Sequence, residues 1–365
     1  MSVGAPAIHR LTIAEIRREA PDAVAVRFDL PEGLAATYAY TAGQYLTLCR
    51  DFAGEEVRRC YSLCRRSGCN GLWVGVREEK GGRFSGWLNR EAKPGDTLDV
   101  MTPDGRFTLS PAPDGPPREI LCVAAGSGIT PVLAILEALL ADEPQSSATL
   151  IYANRDSAHI MFREQVEDLK DRYLDRFRVF HVLSREPAEV DLLAGRIDAA
   201  KCEAFFAATG AVPAAGIAAA YLCGPEAMMD LVAERLAAHG LDRARIRREL
   251  FLNASSPPPA SAAAQPREPV PEGAGITVIL DGRRRRFVFD PAQPSILDAA
   301  RAAGADVPYA CKAGVCATCR GQLVEGEVAM ARNHALDPDE LERGFVLTCQ
   351  ARPTTDRVTI DYDRR

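Results

Sequence analysis

The sequence predicts a multidomain chain: an antiparallel β-barrel, then a doubly wound α/β domain, then a small α+β unit of the β-grasp type. Three observations predict it. Short apolar runs broken by turn signals fill residues 1–113. Near-continuous apolar runs alternate with helical segments over residues 114–252. A Ser/Pro/Ala-rich stretch, residues 253–273, sets off a last unit at 274–365.

The barrel is read from alternation. Residues 23–28, 44–48, 72–76 and 97–100 are short runs at the spacing of a small antiparallel barrel. The pattern then changes. Residues 120–124, 149–152, 180–183 and 219–223 are almost wholly apolar, as strands covered on both faces must be. Helical segments such as 131–140 and 225–239 separate them, the second stopped by Gly240. Residues 253–273 contain Pro257, Pro258 and Pro259, a composition that cannot build a core and reads as a flexible linker. The last unit shows a hairpin at Asp281-Gly282, a helix at 296–303, a cysteine loop and a closing strand at 358–362.

Composition narrows the function. The chain of 365 residues is 47% hydrophobic and 26% charged, which suits a soluble globular protein. Its net charge of −6 argues against a nucleic-acid partner. The arginine run at 283–286 reads as a solvated hairpin. The N-terminal stretch has no apolar secretory core, and no run is long and apolar enough to cross a membrane. The expectation is a cytoplasmic protein with neither a membrane nor a nucleic-acid partner.

The most specific signal is in the cysteines. Cys311, Cys316 and Cys319 form C-x4-C-x2-C, and Cys349 follows much later. This is the spacing of a plant-type [2Fe–2S] site. Two irons need four thiolates; a tight loop supplies three, and a distant strand the fourth. Ala313 and Gly314 keep the loop backbone close enough for N–H groups to face the sulfurs. A zinc site would show two C-x2-C pairs or histidine partners, and the nearest histidine in sequence is His334. The other seven cysteines are scattered; Cys64 and Cys69 repeat the x4 gap without a C-x2-C partner and read as ordinary thiols.

Two further constellations concern nucleotides. Arg59, Tyr61 and Ser62 offer a phosphate partner, a ring for a flavin and a hydroxyl for its reactive edge. Val76 and Arg77, followed by Gly82, Arg83, Phe84 and Ser85, suit the flavin's phosphate side, with Ser85 expected to cap a helix. Gly126, Gly128 and Thr130 follow a strand and open a helix near Pro131, a turn that can cradle a pyrophosphate. Arg155 and the pair Ser184-Arg185 stand at the carboxyl ends of the next two strands, where ligands of such sheets bind. Two arginines there favour the 2′-phosphate of NADPH; Asp156 would suit the ribose of NADH, so NADH stays open. Cys223, closing the fourth strand, is either a small side chain beside the nicotinamide or a buried thiol. Phe251 is an aromatic that can cover the flavin ring. Ser62 and Cys223 are the two residues expected at the reacting atoms.

With these segments identified, the chain resembles the ferredoxin–NADP reductase superfamily, in the subgroup with a C-terminal plant-type ferredoxin domain. More narrowly it is similar to the reductase subunits of phenylacetyl-CoA epoxidases, which serve phenylacetate degradation. The segments EEVRRCYSLCR, GGRFSGWL, AAGSGITPVLAI and CGPEAMMD carry the resemblance, as do PYACKAGVCATCRGQLVEGEVAM and LDPDELERGFVLTCQA. It implies FAD held by Arg59, Tyr61 and Ser62, and a nicotinamide pyrophosphate at Gly126, Gly128 and Thr130 with Cys223 near its ring. It also implies a cluster on the four cysteines and NADPH-dependent electron delivery to a di-iron oxygenase subunit. Ala153 stands where similar reductases commonly carry Gly. Two other readings share these residues less well or equally. A reductase for another multicomponent oxygenase, or for a ring-hydroxylating dioxygenase, would carry the same sites. A non-enzymatic iron–sulfur sensor would not need the flavin and nicotinamide segments. The oxygenase itself is disfavoured, because no Glu-x-x-His motif occurs and the five histidines lie far apart.

Overall fold

The structure is a computed structural model and describes residues 7–209, 216–252 and 270–364. The expected linker therefore lies outside the described residues, apart from 270–273. The described residues fall into two compact units, one built chiefly from residues 8–57 and 61–251, the other from the part after Phe251.

The first unit begins with the barrel. Its strands are β1 (Ile8–Ala20), β2 (Ala23–Asp29), β3 (Tyr45–Phe52), β4 (Glu55–Ser62), β5 (Leu72–Arg77) and β6 (Thr97–Met101). They form one sheet in the order β4-β3-β6-β1-β2-β5. Alternation works as expected: Val24, Val26, Phe28, Leu72, Val74 and Val76 point inward and close the barrel core with Leu46, Leu48 and Trp87. Helix α1 (Arg83–Arg90) plugs one side through Phe84, Trp87 and Leu88.

The α/β layer follows. Strands β7 (Glu119–Ala125), β8 (Ser147–Asn154), β9 (Phe177–Leu183), β10 (Ile217–Cys223) and β11 (Ile246–Glu249) are all parallel, in the order β11-β10-β7-β8-β9. Helices α2 (Ile129–Asp142), α3 (Arg163–Arg172), α4 (Ala199–Thr209) and α5 (Glu226–Ala238) connect them. One apolar core joins α2, through Ile135 and Leu139, to the barrel residues Ala23, Ala25, Ala42 and Phe107. A second core, with Phe205, Phe206, Met229 and Leu236, covers the other face of the sheet. Strand β11 was not anticipated, because its sequence Ile-Arg-Arg-Glu carries one apolar residue; it is an edge strand, and edges do not need two apolar faces.

The second unit is a five-stranded sheet in the order β13-β12-β18-β14-β16. Its strands are β12 (Gly275–Leu280), β13 (Arg283–Val288), β14 (Arg320–Glu325), β16 (Phe345–Leu347) and β18 (Arg357–Asp361). A small ribbon pairs β15 (Val328–Met330) with β17 (Ala351–Pro353). Asp281 (φ 51°) and Gly282 (φ 71°) make the tight turn that the hairpin needs. Helix α6 (Ile296–Ala302), capped by Ser295, packs on the sheet; α7 (Pro338–Glu342) lies beside β16.

The exit from the barrel is fixed by a buried carboxylate. Glu143, next after α2, accepts hydrogen bonds from the Ala112 N–H (2.9 Å), Arg118 Nε (3.0 Å) and Ser146 Oγ (2.7 Å). Burial alone would raise this carboxyl; the bonds from Arg118, Ala112 and Ser146 outweigh it and hold it below the ordinary range. A folded-state value below the unfolded one adds stability above about pH 4.3 that is lost as pH falls. Glu143→Gln should therefore lower the unfolding free energy at pH 7 by about 2 kcal/mol, with the difference shrinking below about pH 4. Urea unfolding at both pH values checks this.

Candidate functional site

The chemistry-bearing residues of the first unit gather where the parallel sheet reverses direction. Strands β7 and β10 are neighbours, and their connections leave on opposite sides, which opens a crevice at their carboxyl ends. Gly126 (φ 56°) turns the chain out of β7, and α2 starts three residues later. A Cβ on Gly128 would lie 2.1 Å from the Cys223 carbonyl oxygen and 3.2 Å from its sulfur, so only glycine lets the turn rest on the end of β10. The Tyr152 hydroxyl donates to the Gly126 carbonyl at 2.9 Å and steadies the turn from beneath.

Cys223 is opposite Glu249 in the β10–β11 register. Glu249 also accepts a 3.0 Å hydrogen bond from the Ser62 hydroxyl at the end of β4. Ser62 and Cys223 are thereby brought to one place, with Glu249 between them. Sequence reading gave Glu249 no role; it marked only the end of the domain. Burial pushes the Glu249 carboxyl up to about 8, and the Ser62 bond offsets that only in part. Burial, then the nearby Glu249, also raises the Cys223 thiol, which has no exposed surface. The pair Ser62 Oγ and Glu249 Oε2 can hold one proton at neutral pH on the inner wall of the crevice. Phe251, two residues beyond Glu249, is 42% exposed and free to cover a planar ligand.

The barrel residues divide differently from the expectation. Tyr61 packs edge-on against Phe84, with ring centroids 6.0 Å apart. Arg59 lies on the same face of β4 as Tyr61, two residues before it, and donates to the Arg58 carbonyl at 2.8 Å. Val76 and Phe84 are core residues, 0% and 1% exposed, so their side chains serve the barrel and only their backbones can meet a ligand. Arg83 is committed to the β3–β4 hairpin through Glu55 Oε2 (2.5 Å) and the Phe52 carbonyl (2.7 Å). Ser85 is not the helix cap. Gly82 holds that position in an extended conformation, and Ser85, within the first turn, accepts from the Glu79 N–H at 3.1 Å. The cap was misjudged because Gly82, with no side chain to signal it, does the job through its backbone.

On the nucleotide side, the Thr130 hydroxyl donates to the Ser127 carbonyl at 2.9 Å and the residue is buried, so it shapes the turn. Arg155 directly follows β8 and Ser184-Arg185 follow β9. The Ser184 N–H donates to the Asn154 carbonyl (3.0 Å) and the Arg185 N–H to the Arg155 carbonyl (2.7 Å), which holds the two loops side by side. Arg77, on β5, donates to the His159 carbonyl at 2.7 Å and overlies Gly126. Asp156 accepts from the backbone and ring of His159 and is engaged within its own turn.

In the second unit all four predicted ligand cysteines are buried. Among the described residues no three His, Cys, Asp or Glu side chains converge as one metal ion would require. Cys311 is within hydrogen-bonding reach of Cys316, and Cys319 of Cys349. Four buried thiols, three from one tight loop and one from a distant segment, are the donor set of a [2Fe–2S] cluster. The loop carries the strain this requires: Lys312 (φ 53°), Gly314 (φ 79°) and Ala317 (φ 55°) are all left-handed. It is held by Gln350 Nε2, which donates to the Lys312 carbonyl at 2.9 Å. The Ala313 N–H reaches Cys311 Sγ at 3.3 Å, as the position of the small residues led one to expect.

Comparison with known proteins agrees with this division. Residues 10–109 match the oxidoreductase FAD-binding domain, 122–234 the oxidoreductase NAD-binding domain, and 278–354 the 2Fe-2S iron-sulfur cluster binding domain. The chain is 43% identical to a 1,2-phenylacetyl-CoA epoxidase component of Escherichia coli K12, over 98% of each chain. It is 34% identical to the ferredoxin reductase component of 3-ketosteroid-9-alpha-monooxygenase from Rhodococcus rhodochrous, over 96% of each. Phthalate dioxygenase reductase superposes with a TM-score of 0.61 at 25% identity, covering 97% of this chain and 98% of that one.

The crowding at Gly128 makes a sharp prediction. In Gly128→Ala the methyl meets backbone rather than a movable side chain. The apparent affinity for the nicotinamide nucleotide should fall about tenfold or more, with a lower melting temperature. Steady-state reduction of cytochrome c at varied nucleotide concentration, alongside a thermal melt, measures both.

Proposed function

We infer the function from one premise: the chain belongs to the family of flavin- and iron–sulfur-dependent oxygenase reductases that includes the matched component of phenylacetyl-CoA epoxidase. It is an oxidoreductase with FAD, a nicotinamide nucleotide and a [2Fe–2S] cluster as its redox groups. Our proposal is that it draws hydride from NADPH and delivers single electrons to the di-iron oxygenase subunit of a phenylacetyl-CoA epoxidase. The full-length likeness to that epoxidase component supports the choice of partner. The burial of four thiols at plant-type spacing, Cys311, Cys316, Cys319 and Cys349, is the observation that carries the electron-transfer reading. We place the protein in the cytoplasm. Eleven cysteines without a disulfide among the described residues support a reducing compartment, and no described helix is long and apolar enough to cross a membrane.

The domain limits we propose are 1–113, 114–252 and 274–365, with 253–273 as linker. The change from an antiparallel to a parallel sheet between Met101 and Glu119 supports the first limit. The chemistry that FAD and the cluster supply when bound is the conversion of a two-electron hydride into single electrons. The protein's part is to bind and orient. Arg59 and Tyr61 would hold the flavin, and the backbone at Gly82 would approach its phosphates. Gly126 and Gly128 would admit the nicotinamide pyrophosphate. Arg155, Ser184 and Arg185 would read the adenosine end. Two arginines on adjacent loops favour NADPH, and the engagement of Asp156 by His159 removes the acid that would have favoured NADH. Ser62 Oγ and Glu249 Oε2 would hold a proton at the reacting edge, above the Cys223 sulfur.

A reconstituted assay tests the whole reading. Purified oxygenase subunits should consume phenylacetyl-CoA with NADPH only when this protein is added. Cytochrome c reduction without phenylacetyl-CoA consumption would move the partner to another oxygenase. Glu249 gives a second, internal test. Its folded pKa near 8 lies above the unfolded value, so it binds an extra proton in the native state and lowers stability as pH rises from about 4.3 to about 8. Glu249→Gln should therefore melt higher than the parent, increasingly so toward pH 9, and should lose any pH step near 8 in the rate of flavin reduction. Thermal melts and anaerobic stopped-flow across pH 5–9 read the two effects.

A further inference from the structure

The turn between β1 and β2 places a carboxylate against the arginines of the nucleotide crevice. Asp22 Oδ2 lies 2.6 Å from Arg155 Nη2, and Asp22 Oδ1 lies 3.5 Å from Arg77 Nε. The first contact is a full charge-assisted hydrogen bond. The second is incomplete: Asp22 Oδ1 and Arg77 Nε are both buried, and neither has a hydrogen-bond partner. Arg77 is at the same time over Gly126, where its guanidinium fills the space a Cβ would take. One carboxylate thus stands between two guanidiniums, one on the pyrophosphate turn and one at the end of β8.

Two features make this contact exchangeable. The side chains of Asp22 and Arg155 are 29% and 41% exposed, so water reaches both and the pair is weakly held. The two arginines share the one carboxylate they contact, and Asp156 also lies within electrostatic reach of Arg155. We propose that Asp22 is a counter-ion gate on the nucleotide site: it occupies Arg155 and faces Arg77 until a phosphate group of the nicotinamide nucleotide displaces it. The gate rests on the function proposed above, and it adds a specificity-determining residue from the barrel that lies outside the nucleotide-binding layer. Displacement turns Asp22 toward solvent and gives the guanidinium a bidentate anion in exchange for a single carboxylate oxygen. The carboxylate therefore competes with the ligand. Its removal tightens binding and leaves the reaction itself untouched.

The test uses the full-length holoprotein in anaerobic stopped-flow, following flavin reduction by NADPH and by NADH. Asp22→Asn should lower the apparent Kd about three- to fivefold, with the limiting reduction rate unchanged. Asp22→Ser serves as the second variant should the first be poorly folded. Arg155→Ala should raise the Kd, and the gain from Asp22→Asn should be smaller in that background than in the parent. A gain confined to NADPH identifies the 2′-phosphate as the displacing group; an equal gain with NADH identifies the pyrophosphate. Both outcomes support the gate. An unchanged or higher Kd for both nucleotides, together with a lower melting temperature, makes Asp22 a strut between barrel and α/β layer and overturns it. Failure of the parent protein to be reduced by either nucleotide would overturn the reading of the site, and the gate with it.

Discussion

The carbonyl oxygen of Cys223 stands where a side chain on residue 128 would have to go. Much of the first unit depends on that single approach. Because the β7 turn rests on the end of β10, helix α2 starts at the sheet's carboxyl edge, with the positive end of its dipole at the crevice. The same contact buries Cys223 and sets Glu249 beside it through the β10–β11 register. Helix α2, once placed, is packed on its other side by the barrel residues Ala23, Ala25 and Ala42. Small side chains there let barrel and sheet share one core, and that shared core is what brings Ser62 to Glu249.

Two glutamates in the same unit show how surroundings assign opposite tasks to one side chain. Glu143 has a guanidinium, a backbone N–H and a hydroxyl as donors, so it stays ionised and works as a tie. Glu249 has one hydroxyl donor and is desolvated by burial, so it keeps its proton near neutrality. A group that changes charge close to neutral pH is of little use in a strut. The burial that raises Glu249 comes from the same packing that closes the crevice floor.

Much of this was legible in the sequence, and the reasons for the rest are physical. Parallel strands covered on both faces must be apolar throughout, so β7, β8, β9 and β10 announced themselves, whereas β11, an edge strand with two arginines, had no such requirement. Gly128 and Cys223 stood out in the sequence because a turn at a strand end constrains residue type. Glu249 was not, because its importance comes from a partner, Ser62, distant in the chain and joined to it only by the fold. Asp22 was hidden for the same reason. Phe84 and Val76 were drawn toward a ligand by their neighbours in sequence, but period-two alternation and the amphipathic face of α1 commit them to the barrel core.

The cysteine loop shows spacing and strain acting together. Four intervening residues separate Cys311 from Cys316, and two separate Cys316 from Cys319, so an ordinary helical or extended path would spread the three thiols apart. The chain instead reverses its curvature at Lys312, Gly314 and Ala317, and two of these are not glycine. Each such residue costs on the order of 1 kcal/mol, which local contacts must offset. They do so from outside the loop: Lys312 Nζ bonds Asp298 at 2.6 Å, Gln350 holds the Lys312 carbonyl, and the Thr348 hydroxyl donates to the Cys319 carbonyl at 2.9 Å. Gln350 and Thr348 flank Cys349 in sequence. The segment that delivers the fourth thiol is therefore also the one that holds the strained loop supplying the other three.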